Sequence, residues 1–260
     1  MKCPIFQIDA FTTRPFGGNP AAVVILDEWP ADEILQSVAA ENNLSETAFA
    51  VADGGTYGLR WFTPTMEVDL CGHATLATAF VLFNEGLASG EEIRFQTKEC
   101  GELLVTRGNG LLNMDFPARP PEPIVRPPEL SDVLGARPKE VHAARDLVAL
   151  FETEEDVAGL MPHFERFAAL DAFAVIATAP GRDADFVSRF FAPAAGIPED
   201  PVTGSAHCTL IPFWSRRLGK RTMRALQISA RVGEVFCEDR DERVIISGRA
   251  VEYLRGEITI

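Results

Sequence analysis

One acidic residue has a sequence context that suits proton transfer. Glu46 lies in the run Leu44-Ser45-Glu46-Thr47-Ala48-Phe49-Ala50, where a strand would place it on one face with small apolar neighbours. Desolvation on such a face favours the neutral carboxyl and prepares the group to accept and return a proton. The alternative is a glutamate at a strand end that reaches solvent.

Two glycines precede apolar, Ala- and Leu-rich stretches that are predicted to be helices. They begin the sequences Gly72-His73-Ala74-Thr75-Leu76 and Gly204-Ser205-Ala206-His207-Cys208. The first turn of a helix exposes unpaired N–H groups and the positive end of its dipole, which suits a carboxylate. We therefore predict an anion site shared by the two helix starts. The alternative is that each glycine only allows a tight turn into its helix.

Polar residues close to these glycines leave two interpretations open. Asp200 lies four residues before Gly204, so it either caps the second helix or orients a substrate. His73 directly follows Gly72, so it either packs at the helix start or handles a proton.

Metal and nucleotide chemistry find little support in the sequence. Cys71, His73, His207 and Cys208 lie at the two helix starts, but their spacing is not that of a structural zinc site, and we expect no metal. The chain contains no G-x-S-x-G, G-x-G-x-x-G or Walker sequence, so neither a serine triad nor a nucleotide cofactor is predicted.

The elements that must position these residues are mostly short strands. Helices are predicted over 73–84 and 205–218, both apolar nearly all round and therefore buried, and an amphipathic helix over 31–42. Runs rich in β-branched and aromatic residues, bounded by Gly, Pro or Asn, predict strands over 21–26, 58–62, 93–97, 101–106, 111–116, 147–151, 173–178, 225–229 and 244–247.

The chain is predicted to be an internal duplication of a unit of about 130 residues. Arg60-Trp61-Phe62-Thr63-Pro64 recurs as Arg189-Phe190-Phe191-Ala192-Pro193, and Phe95-Gln96 recurs as Leu226-Gln227. A proline-rich connector begins at Pro117, through which we predict neither helix nor interior strand as far as Pro128. We therefore expect α+β lobes over 1–116 and 117–250, each a curved sheet closed around a central helix.

Composition limits the function further. The 260 residues carry 24 Lys and Arg against 38 Asp and Glu, a net charge of −14 that disfavours nucleic acid as a partner. Five cysteines without a C-x-x-C pair suit a reducing compartment. Uncharged runs are too short to span a membrane. We expect a soluble cytoplasmic protein.

Five motifs together resemble the phenazine-biosynthesis-like (PhzF) family. The resemblance implies a diaminopimelate-epimerase-like fold of two pseudo-symmetric lobes, each a barrel-like, mostly antiparallel sheet around a helix, with residues 251–260 completing the first lobe. In this sequence the motifs are residues 9–20, Asn43-Leu-Ser-Glu-Thr47, Phe62-Thr-Pro64, Cys71-Gly-His-Ala-Thr-Leu76 and Asp200-Pro-Val-Thr-Gly-Ser-Ala206.

The resemblance also implies a cofactor-free isomerisation of a small carboxylate by a homodimer. In the family's phenazine enzyme one glutamate moves a proton between ring carbons, and Glu46 holds that position here. His73 and Asp200 match further catalytic positions. The residues expected to bind substrate are Asn19, Gly72, Gly204 and Ser205.

Two alternatives to this isomerase remain open. Related racemases use a cysteine at each helix start, and here Cys71 is present but its counterpart is Thr203. A racemase or epimerase would therefore rely on Cys71 with Glu46. A non-catalytic anion-binding protein of the same fold is the second alternative. The sequence also departs from the family in the run Arg231-Val232-Gly233-Glu234, where members more often carry a second glycine.

Overall fold

The computed structural model describes all residues, Met1–Ile260. The protein is mixed α/β, with extensive β-sheet and few helices. Its α-helices are α1 (Asp32–Asn42), α2 (Gly72–Asn84), α3 (Leu130–Leu134), α4 (Glu154–Ala158) and α5 (Gly204–Leu218). Its strands are β1 (Lys2–Ala10), β2 (Asn19–Leu26), β3 (Glu46–Asp53), β4 (Thr56–Phe62), β5 (Glu67–Val68), β6 (Glu92–Gln96), β7 (Glu102–Gly108), β8 (Leu111–Pro117), β9 (Glu122–Pro123), β10 (Glu140–Ala143), β11 (Leu147–Leu150), β12 (Val175–Pro180), β13 (Phe186–Ala192), β14 (Ile197–Asp200), β15 (Thr222–Gln227), β16 (Gly233–Arg240), β17 (Arg243–Gly248) and β18 (Ala250–Thr259).

One compact unit comprises Met1–Phe116 and Ser247–Ile260. In it β1 pairs antiparallel with both β18 and β2. The sheet then continues from β2 to β3 in parallel, from β3 to β4 antiparallel, from β4 to β6 in parallel and from β6 to β7 antiparallel. Helix α2 packs against β1, β2 and β3.

A second compact unit comprises Pro117–Ile246. Its sheet runs from β11 to β12 in parallel, from β12 to β13 antiparallel, from β13 to β15 in parallel and from β15 to β16 antiparallel. Helix α5 packs against β15 and β16. The order of parallel and antiparallel pairings is therefore the same as in the first unit.

Helix α2 is buried along nearly its whole length because its sequence offers no polar face. It has no charged side chain, and the buried positions run from Gly72 to Ala79 and from Val81 to Phe83. Three of its buried residues are threonine or histidine, and the hydroxyls of Thr75 and Thr78 donate to main-chain carbonyls one turn earlier. These bonds satisfy the hydroxyls inside an apolar environment.

Helix α5 continues through a proline. Pro212 has no N–H to donate to the carbonyl of Cys208, the residue four positions earlier. The main-chain N–H of Arg119 donates to that carbonyl instead, at 2.9 Å. A main-chain donor from outside the helix thus replaces the missing bond and lets the helix proceed.

The proline-rich connector contains one short strand that the sequence did not predict. Glu122–Pro123 forms β9 and pairs antiparallel with Ala143 and His142 of β10. A two-residue strand tolerates Pro123 because so short a ladder requires few donors.

No helix of the protein combines the length and the apolar character needed to cross a membrane.

Candidate functional site

Asn19 and Glu46 are the first residues of two adjacent parallel strands, β2 and β3. The register pairs Ala21 with Glu46, so both side chains lie at the edge of the sheet where these strands begin. Gly18 makes the turn into β2 with φ of +58°, and a Cβ atom there would lie 1.9 Å from the carbonyl oxygen of Ala10. Only glycine fits this turn, which therefore sets the position of Asn19.

The start of α2 brings two further side chains to the same edge. Cys71 is the N-cap residue, in an extended conformation, and Gly72 and His73 are the first helical residues. Helix α2 packs on β2 and β3, so its first turn reaches the beginnings of those strands.

Three side chains meet there around the imidazole of His73. The amide nitrogen of Asn19 lies 3.1 Å from Nδ1, and the sulfur of Cys71 lies 3.4 Å from the same atom. On the other side of the ring, Nε2 lies 3.2 Å from Oε2 of Glu46. All four residues are buried.

Burial decides between the two interpretations of Glu46. The residue is only 8% exposed, so the alternative of a solvent-reaching glutamate is wrong. The expected apolar row begins at Glu46 and not at Leu44, because β3 starts with the glutamate. Ala48 and Ala50, on the same face of the strand, are fully buried.

The imidazole of His73 is neutral, and its proton can be assigned. Burial lowers the pKa of His73 to about 3 because desolvation penalises the charged ring. With the amide nitrogen of Asn19 as the donor to Nδ1, the hydrogen of the neutral ring is on Nε2. That N–H faces the carboxyl of Glu46, although the two groups are not aligned for a hydrogen bond in this conformation.

In the second unit Asp200 belongs to a separate hydrogen-bonded group at the start of α5. Its Oδ2 accepts a hydrogen bond of 2.5 Å from the hydroxyl of Thr203, the N-cap residue, whose own side chain makes no capping bond. The amide of Gln227 spans this turn: Nε2 donates to the carbonyl of Asp200 and to the hydroxyl of Thr203, and Oε1 accepts from the N–H of Thr203. The buried side-chain amide of Gln227, the last residue of β15, therefore fixes this turn.

The remaining predicted residues lie along α5. Gly204 is buried and Ser205 half-buried at its start. His207 donates from Nδ1 to the carbonyl of Thr203 at 2.8 Å, and burial lowers its pKa to about 4. Burial raises the pKa of the Cys208 thiol to about 11.

Sequence reasoning missed Gln227 as a site residue. The repeat matched Leu226-Gln227 with Phe95-Gln96 and so drew attention to both glutamines. It did not show which of the two would be buried. Gln227 is fully buried, whereas Gln96 is exposed and donates only to Glu102. The expectation of no metal also considered only residues at the helix starts and did not pair Glu46 with Cys71 and His73.

Comparison with known proteins agrees with these motifs. The sequence profile of the family described as "Phenazine biosynthesis-like protein" matches residues 8–256. An uncharacterized isomerase of Pseudomonas aeruginosa is 50% identical, with 99% of each chain covered. A crystal structure of a PhzF-family phenazine biosynthesis protein from Enterococcus faecalis has a TM-score of 0.97 at 47% identity and covers 100% of each chain.

A more distant structure supports the fold alone. A hydroxyproline epimerase from Agrobacterium vitis has a TM-score of 0.60 at 11% identity, covering 99% of this chain and 92% of the epimerase. The fold is thus shared with epimerases, whereas the profile match over nearly the whole chain is specific to the phenazine biosynthesis-like family. This chain belongs to the phenazine biosynthesis-like family.

Proposed function

We propose that this protein is a cofactor-independent isomerase that shifts a proton on a small carboxylate-bearing substrate. Glu46 acts first as base and then as acid. The observation that carries the proposal is the buried Glu46 beside the neutral imidazole of His73. The name "uncharacterized isomerase" of a relative that is 50% identical supports the same reaction class.

Two features of Glu46 suit it to proton transfer. Its carboxyl is buried, and the imidazole of His73 that lies 3.2 Å away is neutral. A buried carboxylate beside a neutral imidazole can remove a proton from a carbon next to a carboxylate or enol and return it at another carbon. The double bond shifts as the proton moves, and no electrons are gained or lost overall. The reaction therefore requires no redox cofactor.

We assign the substrate contacts from the family resemblance. Asn19, Gly72, Gly204 and Ser205 are proposed to bind the substrate, and Asp200 to act in catalysis with Glu46 and His73. Main-chain N–H groups at a helix start suit a carboxylate or the charge of an enolate. The buried hydrogen bonds that fix Asp200 support its role, because a preorganised carboxylate does not have to be ordered during the reaction.

We also propose that the two units are copies of one ancestral unit, each with its sheet closed around its long helix. The identical order of strand pairings supports the duplication. The division into units over Met1–Phe116 with Ser247–Ile260, and Pro117–Ile246, is consistent with it.

The proposed setting is a cytoplasmic homodimer whose partner is a small molecule and not a nucleic acid. None of the five cysteines forms a disulfide, which suits a reducing compartment. The net charge of −14 disfavours a phosphate backbone. The homodimer rests on the family resemblance.

The proposal is tested by NMR of small carboxylic and enolic acids incubated with the protein in deuterated water. We expect deuterium at one carbon together with a moved double bond. Glu46→Gln keeps the side-chain volume but cannot accept the proton, so turnover should fall at least ~100-fold. Glu41→Gln, on the exposed side of α1, is the matched control and should be unchanged. Near-native turnover by a folded Glu46→Gln protein would refute the mechanism.

A racemase is the second candidate because the Cys71 sulfur lies 3.4 Å from His73. Cys71→Ser separates the two reactions. An isomerase that relies on Glu46 should keep most of its activity, whereas a racemase should lose activity as severely as Glu46→Gln does. Inversion at a stereocentre would identify the racemase, and the absence of any exchange would favour an anion-binding protein.

A further inference from the structure

Three side chains at the proposed catalytic site carry the donor types that bind zinc. Glu46, Cys71 and His73 each offer one ligand atom, and these atoms all lie within 4.8 Å of one another. All three residues are buried. A carboxylate, a thiolate and an imidazole are the ligands that Zn²⁺ takes in proteins, and three protein ligands with an open fourth position are typical of accessible zinc centres.

A tetrahedral zinc centre sets the separations that these ligand atoms must reach. Zn–S and Zn–N bonds imply a separation of about 3.6 Å between sulfur and nitrogen ligands, and about 3.4 Å between nitrogen and oxygen ligands. Here the Cys71 sulfur lies 3.4 Å from Nδ1 of His73, and Oε2 of Glu46 lies 3.2 Å from Nε2. These two distances involve opposite nitrogens of the ring, and one ion uses only one of them, so ligand atoms that lie up to 4.8 Å apart must approach to about 3.5 Å.

Electrostatics permit a cation at this helix start. A bare divalent ion would be repelled by the positive end of the α2 dipole. With Cys71 as thiolate and Glu46 as carboxylate, however, the two ligand charges cancel that of Zn²⁺. His73 is neutral and contributes its lone pair without changing the total. The complex carries no net charge, so the helix dipole opposes it little.

We propose that Glu46, Cys71 and His73 form a binding site for one Zn²⁺ ion, with a fourth position open to water or to a carboxylate. Binding releases the thiol proton of Cys71 to solvent, and no bond is oxidised or reduced. The site itself is independent of the reaction assigned above. One consequence rests on the proposed function: an ion bound to Glu46 occupies the oxygen that accepts the proton, so Zn²⁺ inhibits turnover.

The test uses the full chain with Cys100→Ser throughout, which removes the one exposed thiol. Zn²⁺ binding is measured by calorimetry, and Co²⁺ serves as a spectroscopic probe. We expect one ion per chain, a thiolate-to-cobalt absorption band, and release of about one proton per thiol ligand. Cys71→Ser should remove the band and weaken Zn²⁺ binding at least ~10-fold. Replacing a residue that only hydrogen-bonds to a metal ligand already lowers metal affinity by about that factor, so loss of a ligand should cost no less. Cys3→Ser, a buried thiol of the same unit outside the cluster, should change neither.

Several results would overturn the site. Zn²⁺ binding equally well to Cys71→Ser and its parent would place the ion elsewhere on this acidic protein, and so would Co²⁺ binding without a thiolate band. Glu46→Gln provides a second variant, and unchanged affinity there would exclude the carboxylate as a ligand. Because binding is measured without substrate, these failures leave the isomerase proposal intact. Conversely, full turnover by Glu46→Gln would refute the isomerase mechanism and leave the zinc site standing.

Discussion

Replacing Gln227 with methionine should destabilise the protein through the turn that carries Asp200. Methionine keeps the length and volume of the side chain but removes both polar atoms of the amide. The hydrogen bonds lost are those to the Asp200 carbonyl at 2.8 Å, to the Thr203 hydroxyl at 3.2 Å and from the Thr203 N–H at 2.9 Å. Gln227 is fully buried, so water cannot replace them.

The magnitude follows from these three bonds. Each lost bond leaves a buried partner unsatisfied at a cost of about 1–3 kcal/mol, so the free energy of unfolding should fall by at least about 3 kcal/mol. A chain of 260 residues loses about 2 °C of melting temperature per kcal/mol, which gives a decrease of at least about 6 °C. If Asp200 acts in catalysis, its less ordered carboxylate should also lower kcat more than it raises KM.

The repeat supplies a matched control. Gln96→Met changes the corresponding glutamine of the first unit, which is exposed and makes one hydrogen bond to Glu102 at 3.0 Å. An exposed change of this kind should stay within about 0.5 kcal/mol. Urea denaturation of both variants gives the comparison. Equal losses in the free energy of unfolding for Gln227→Met and Gln96→Met would show that the bonds of Gln227 do not stabilise this turn.

Acid should destabilise the protein in part through its buried histidines, His73 and His207. Their folded pKa values are lowered from 6.5 to about 3 and about 4, so below pH 6.5 the unfolded chain binds protons that the folded chain does not. Denaturation at several pH values should therefore show the free energy of unfolding falling as pH drops from 6.5 to 4, and His207→Gln should reduce that slope by up to about 1.4 kcal/mol per pH unit. Gly18→Ala should lower the free energy of unfolding, measured by thermal unfolding, by about 2 kcal/mol or more, because Gly18 has a positive φ and the Ala10 carbonyl lies close to it. Gly54→Ala is the control and should lower it by less, because Gly54 has φ of +55° but open space around it. Val232 has φ of +50°, so Val232→Gly should raise the free energy of unfolding by about 0.5–1 kcal/mol and Val232→Ala by less; a loss on going to glycine would contradict this.

The sequence alone determined the features that depend on neighbouring residues. Long apolar runs without a polar face predicted the two buried helices, which the structure places at Gly72–Asn84 and Gly204–Leu218. A short amphipathic run predicted the helix over 31–42, which the structure places at Asp32–Asn42. Five motifs of three to twelve residues together indicated the family, and three of them contain Glu46, His73 and Asp200. Local patterns carry this information because helix formation and motif identity require no distant contact.

Only the tertiary structure decided what each motif residue touches. Glu46 and His73 lie in different elements of the sequence. They meet because the register of β2 with β3 and the packing of α2 bring the first residues of these three elements to one edge of the sheet. Gln96 and Gln227 match in sequence, yet only Gln227 is buried and bonded to a turn. Pairing, burial and hydrogen bonding between distant segments arise only when the whole chain folds, and no short stretch of sequence contains them.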